Sequence, residues 1–335
     1  MVTIRDVARE SGVSVATVSY VLNNGPRPVS PKTRERVVAV MRRLDYHPNA
    51  VARSLVRRRT QTLGVVVGHV QPEVVTNNYY AGVLAGIFAG AYQRSYNVVF
   101  FTEQGTITQI ERHIRTQQPD GVLMIAPDIG LELPARLGHV GIPLGIVGAE
   151  GVYTETGALQ IDVDNVLGTR LAVEHLLERG HTQVLHMMGT PGQASVQVRR
   201  EVFEQVMREH GLSITDDRIL ECTFDPVSDA QLLAQRLAHN PPTAIFAGND
   251  DLALTALQVI KEQGLRIPED IAVVGFDDGP LAAHVAPGLT TIRQPMRAIG
   301  EAIVCGLADQ LEGTHPHPEV RLLHFAPELI VRGST

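Results

Sequence analysis

The sequence predicts a chain in two parts: an N-terminal all-α head of helix-turn-helix form, then an α/β core of two doubly wound parallel-sheet lobes. Three observations predict it. The first sixty residues carry apolar positions at helical spacing, broken by short Gly and Asn-Gly-Pro stretches. From Thr62 onward, apolar runs of strand length alternate with amphipathic segments, and the alternation comes in two series. Charge divides at the same place. Residues 1–60 hold 12 Lys and Arg against 4 Asp and Glu, whereas the remainder holds 17 against 32, so a head of +8 precedes a body of −15. With 335 residues, 44% of them hydrophobic, the chain has material for two or three units with full cores.

In the head, Thr3 is placed to cap a first helix, with Asp6 three residues on as its partner and Ile4, Val7 and Ala8 following at helical spacing. Gly12 supplies the positive φ of a tight turn. Ser14 opens a second helix in which Val18, Val21 and Leu22 face inward, leaving Val15, Ala16, Thr17 and Tyr20 on the free face. Asn23-Asn24-Gly25-Pro26 ends it. Ser30 and Pro31 form a cap and first-turn pair for a third helix with an apolar stripe of Val37, Met41 and Leu44. Two short helices across a Gly turn, braced by a third, place the second in the major groove of double-stranded DNA. Val15 and Ala16 suit thymine methyl groups, and Tyr20 can reach a base edge or a phosphate. A small bundle that binds protein is the competing reading; the Arg-rich charge balance favours a polyanion.

The stretches TIRDVARESGVSVATVSYVLN, VSPKTRERV and YHPNAVARSL resemble the N-terminal module of the lactose-repressor (LacI/GalR) family of transcriptional regulators. The resemblance implies a base-reading pair at Val15 and Ala16 with Tyr20 as third reader, and further DNA contacts from Thr3, Ser14, Thr17 and Asn23. It also implies a hinge helix over Asn49–Val56, a segment too short to be stable alone in water. Leu55 would be the wedge that opens the minor groove at the operator centre, flanked by Asn49, Ala52 and Arg53. Arg57 and its two Arg neighbours would lie along phosphates. The long polar pair that some members carry at the reading positions is absent, so operator preference does not transfer.

In the body, TLGVVVGHV, NVVFF, GVLMIA and PLGIVG read as buried strands, with helices near Tyr80–Ser95, Ile107–Gln117 and Glu132–His139. QVLHMM, AIFAG and IAVVGF form a second series, with helices near Val166–Gly180, Val196–Gly211, Ser228–His239 and Asp251–Gly264. The expected organisation is a DNA-binding head over 1–48, a hinge and linker over 49–60, and a periplasmic-binding-protein-like core over 61–335. Its first lobe takes about 61–162 plus 291–322, and its second about 163–290 plus 323–335. Ligands of such sheets bind at the carboxyl ends of strands. Arg199, Asn249 and Asp277 follow strands there, and the resemblance makes them polar effector ligands. It likewise makes Tyr79, Tyr80 and Phe224 the aromatics that stack on a sugar or a nucleobase. One departure stands out: where many members place an acidic ligand after the fourth strand, this chain has Gly148. A sugar is the expected effector and a nucleoside or purine the alternative, with the chain acting as a homodimer and most readily as a repressor. Induction and corepression both fit.

Other classes lack their markers. There is no G-x-G-x-x-G, Walker loop or G-x-S-x-G, and no H-E-x-x-H among thirteen histidines, so an enzyme, a cofactor and a metal are not expected. His315 and His317 read as solvated turn residues. Gly82, Gly86 and Gly90 read as close helix packing. Two cysteines give no disulfide framework, and the charged N-terminus is unlike a signal peptide, so a cytoplasmic location is expected. A solute-binding protein would share the core but not begin with this head. No Leu heptads trail the last strand, so a dimer without a tetramerising tail is expected.

Overall fold

A computed structural model describes residues 2–23, 28–46, 59–67, 77–102, 105–149, 151–313 and 322–335. The hinge positions Asn49, Ala52, Arg53, Leu55 and Arg57 lie outside these residues, as do His315 and His317. The chain divides into two compact units, Met1–Gln61 and Thr62–Thr335.

The first unit holds α1 (Ile4–Ser11), α2 (Val15–Asn23) and α3 (Pro31–Arg43). Thr3 and Asp6 form a reciprocal capping box on α1, and Gly12 ends it in the left-handed region at φ 61°. Ser30 caps α3 ahead of Pro31. Val7, Ala8, Val18, Val21, Val37 and Val40 make the core. Met41 and Leu44, expected in the main stripe of α3, pack at its margin, and Val40 takes the buried place. Arg34 donates to the Val21 carbonyl at 3.0 Å, satisfying one of the oxygens α2 leaves open at its end.

The second unit holds two six-stranded sheets. The first contains β1 (Thr62–Val67), β2 (Asn97–Phe100), β3 (Gly121–Ile125), β4 (Leu144–Val147), β5 (Leu159–Val163) and β11 (Leu322–Phe325), ordered β11-β5-β4-β3-β1-β2 and parallel throughout. The second contains β6 (Val184–Met188), β7 (Ile219–Glu221), β8 (Ala244–Ala247), β9 (Ala272–Asp277), β10 (Thr290–Arg293) and β12 (Glu328–Ile330). Its order is β12-β10-β9-β8-β6-β7, with only β12 antiparallel. In both sheets the order of strand addition reverses between the first and third strands, the switch point where a crevice opens at the carboxyl ends. The helices are α4 (Asn78–Gln93), α5 (Ile107–Gln117), α6 (Leu133–His139), α7 (Asn165–Glu178), α8 (Ala194–Glu209), α9 (Pro226–His239), α10 (Asp250–Glu262) and α11 (Met296–Glu312).

The chain passes between lobes three times: after β5, after β10 and between β11 and β12. Two expected boundaries therefore move. Thr290–Arg293 pairs with β9 and belongs to the second lobe, so the return to the first lobe follows residue 293 rather than preceding 291. Leu322–Phe325 pairs along its length with β5, so the last crossing follows 325. The glycine row of α4 serves close packing: a Cβ on Gly86 would overlap the Arg297 carbonyl of α11, and one on Gly300 the Val83 carbonyl of α4.

Candidate functional site

On the head, the Ser14 hydroxyl accepts the Thr17 amide at 3.1 Å and lies 2.9 Å from the Thr17 hydroxyl, so both residues are engaged in capping α2. Val15 and Ala16, on the next turn, are exposed, and Val15 keeps 42% of its surface accessible. An apolar side chain so exposed at a helix N-terminus fits a partner surface better than a core. Thr17 and Tyr20 are half-buried rather than free, because Val18 and Val21 on either side draw that face toward the core. Thr3 is exposed, and its hydroxyl is committed to Asp6 at 2.7 Å. Asn23 is the last residue of α2.

In the second unit a cavity of about 950 Å³ opens at the strand ends of both lobes. Tyr79, Tyr80, Arg199, Phe224, Asn249 and Asp277 all line it. Arg199 sits in the second turn of α8, not at its start, and is almost wholly buried. Its Nε donates to Asn165 Oδ1 at 3.0 Å, its Nη1 to the Gly248 carbonyl at 2.5 Å, and its guanidinium lies 3.6 Å over the Phe276 ring. Asn249 caps α10, where its Oδ1 accepts the Leu252 amide at 2.9 Å; its amide nitrogen is the part that can serve a ligand.

Asp277 ends β9 at a strained φ of 133°, and Gln294 donates to its carboxyl. Burial, and then the nearby Asp250, push its pKa well up. Asp250 is itself pushed up to about 6, by burial first, while it accepts the Gly279 amide and the Thr291 hydroxyl.

The aromatics divide by role. Tyr79 and Tyr80 meet edge to face with centroids 5.5 Å apart. Asn77 Oδ1 accepts both their amides, at 3.0 and 3.3 Å, while its Nδ2 donates across the cleft to Asp251 at 3.0 Å. Gln193 of the second lobe reaches the Tyr80 hydroxyl at 3.5 Å. Phe224 is 38% exposed at φ 65°, its ring against Gly189. The departure at Gly148 has a steric cause. Gly148 lies at φ +78, and the Tyr79 hydroxyl stands 2.7 Å from where a Cβ would be. The phenol fills the volume that an acidic side chain would use.

Sequence reasoning missed Asp162, His186, Gln193, Asp251 and Gln294 in this lining. Gln294 alone left a signal, one residue past the β-branched run Thr290–Ile292 and directly before Pro295. Among the described residues no cluster could hold a metal ion, and no helix is long and apolar enough to cross a membrane.

The profile described as bacterial regulatory proteins, lacI family, matches residues 3–49, and that of a periplasmic binding protein-like domain matches 173–335. The HTH-type transcriptional repressor PurR of Vibrio vulnificus is 33% identical over 343 residues, spanning 99% of this chain and 98% of that protein. The chain belongs to the lacI family. The ribose operon repressor of Haemophilus influenzae is 32% identical over 339 residues, spanning 100% of this chain and 98% of that one. A solved lac repressor dimer bound to operator and the anti-inducer ONPF gives a TM-score of 0.86 at 29% identity, covering 99% and 98% of the two chains. This lacI-family chain is thus a DNA-binding transcriptional regulator rather than an enzyme, built from a helix-turn-helix head and a two-lobed parallel-sheet core.

Proposed function

We propose that the protein represses transcription in the cytoplasm as a homodimer on a near-palindromic operator, under the control of a small sugar held in the cavity. The observation that carries the effector half is convergence: Arg199 from α8, and Asn249 and Asp277 from two strand ends, meet Tyr79, Tyr80 and Phe224 around one space. A guanidinium and an amide beside an acid suit sugar hydroxyls, and aromatic rings suit the C–H faces of a sugar. Dimer formation is supported by exposed apolar side chains, with Phe88 and Phe100 paired at 6.1 Å and Tyr92, Val227 and Leu281 also accessible. The DNA half rests on Val15 and Ala16, with Thr3, Ser14, Thr17, Tyr20 and Asn23 around them and the hinge set Asn49, Ala52, Arg53, Leu55 and Arg57 beyond. Effector and operator couple only if the sugar binds the two lobe arrangements with different affinity.

A thermal-shift screen of the full chain against sugars and nucleosides tests the effector class, since a ligand of the native state raises apparent stability. A rise with sugars alone supports this reading; a rise with nucleosides alone reverses it. On DNA, Leu55→Ala is expected to weaken operator binding about tenfold or more while leaving non-specific binding nearly unchanged. Equal losses on both would remove the wedge.

A further inference from the structure

The cavity floor offers more acceptors than its protein donors use. His186 lies mid-strand in β6, fully buried, its ring stacked on Phe246 at 4.7 Å and 13°. Its Nδ1 stands 3.0 Å from the Phe246 carbonyl oxygen, which can only accept, so Nδ1 carries the proton and Nε2 the lone pair. Burial holds the ring neutral by pushing its pKa down to about 4. The side chain lines the cavity, yet no donor among the described residues reaches Nε2. Gln294 is in the same position: its Nε2 serves Asp277, and its buried Oε1 has no donor. A packing role explains the stacked ring and Nδ1. It does not explain Nε2, because an aliphatic side chain would fill the slot without stranding an acceptor.

Charge narrows the ligand further. Asp162, Asp251 and Asp277 line the cavity, with Asp225 at an exposed position, and Arg199 is the one Lys or Arg among the described lining residues. Two of its nitrogens already donate to Asn165 and Gly248. A phosphate ester would enter beside several carboxyl groups in a space where solvent screens little.

We propose that the cavity selects an uncharged, hydroxyl-rich ligand, an unphosphorylated sugar, and that His186 is a specificity residue accepting one of its hydroxyl protons at Nε2. This rests on the sugar reading above and adds the excluded class and the acceptor. The test is titration calorimetry of the full chain with glucose, galactose, ribose, cellobiose and lactose, with glucose 6-phosphate and ribose 5-phosphate, and with adenosine.

One free sugar is expected to bind, with its phosphate ester at least about tenfold weaker. His186→Leu is expected to weaken that sugar about tenfold, and one monodeoxy analogue should lose affinity for the wild type but nothing further for the variant. A phosphate ester that binds more tightly, or a variant indifferent to the sugar, overturns this inference while the sugar reading stands. If adenosine binds and no sugar does, the sugar reading itself falls, and this inference with it. Should His186→Leu fail to fold, ¹⁵N spectra of the wild-type histidine rings decide. Saturating sugar is expected to shift Nε2 while Nδ1 stays protonated, and an unmoved Nε2 overturns the assignment.

Discussion

Gly148 and Tyr79 share one volume, and the sharing is testable because two separate costs attach to the glycine. Gly148→Ala places a Cβ both in the left-handed region and against the Tyr79 hydroxyl, whereas Gly180→Ala, at φ +88 with open space around it, incurs the backbone cost alone. Each is expected to lower stability by about 1–2 kcal/mol in thermal melts, and only Gly148→Ala should also weaken effector binding. His186 gives a second prediction. In the unfolded chain it titrates near 6.5 and in the fold near 4, so across that window the unfolded state binds the extra proton. Stability is therefore lost as pH falls from about 6.5 toward 4, by about 3 kcal/mol at most. His175, also pushed down to about 4, acts in the same direction. Asp250 acts oppositely: its folded pKa near 6 exceeds the unfolded value, so its contribution is full below about 4 and is lost as pH rises through 6. His186→Leu should flatten the acid side of the stability profile; an unchanged slope would contradict a buried neutral ring. Tyr79, Tyr80, Arg199, Phe224, Asn249 and Asp277 were legible through the family resemblance, whereas the acids Asp162 and Asp251 were not. His186 was not, since one histidine within VLHMM reads as a core residue until the partners of its two nitrogens are known.

Among elements, α4 and α11 approach so closely that backbone lies where a Cβ of Gly86 or Gly300 would be. Gly86→Ala meets the Arg297 carbonyl, which cannot move without its helix, whereas Gly82→Ala meets only side-chain atoms of Met296, at 2.8 Å and beyond. Differential unfolding should find Gly86→Ala destabilising by about 3 kcal/mol or more and Gly82→Ala by clearly less. That packing was legible from glycines four apart. Several strands were not, β5 and β7 among them. β5 carries Gln160 and Asp162 inside a buried run, which breaks the apolar pattern, and β7 spans only three residues. In both, pairing with neighbouring strands outweighs local sequence preference.

For the whole molecule, charge and the lobe link make separate predictions. Operator affinity should fall steeply with salt, because the basic head displaces counterions from phosphates, while affinity for an uncharged effector should hardly change. A flat salt profile for the operator would count against a phosphate-binding head. Asn77→Asp keeps a cap for α4 but sets a carboxylate against Asp251, so effector affinity should drop several-fold with little loss of stability. The two-lobe plan was legible from the repeated alternation. The exact crossings were not, because TTIR and LLHF pair with strands far away in sequence. Those crossings also order events during synthesis. The head is a contiguous stretch that can close as soon as it leaves the ribosome. Neither lobe is contiguous: the first awaits α11 and β11, and the second awaits β12, so each nascent sheet has an unfilled edge until the last dozen or so residues emerge. A stalled chain ending near residue 290 would then carry a folded DNA-reading head on an unfinished, effector-blind core.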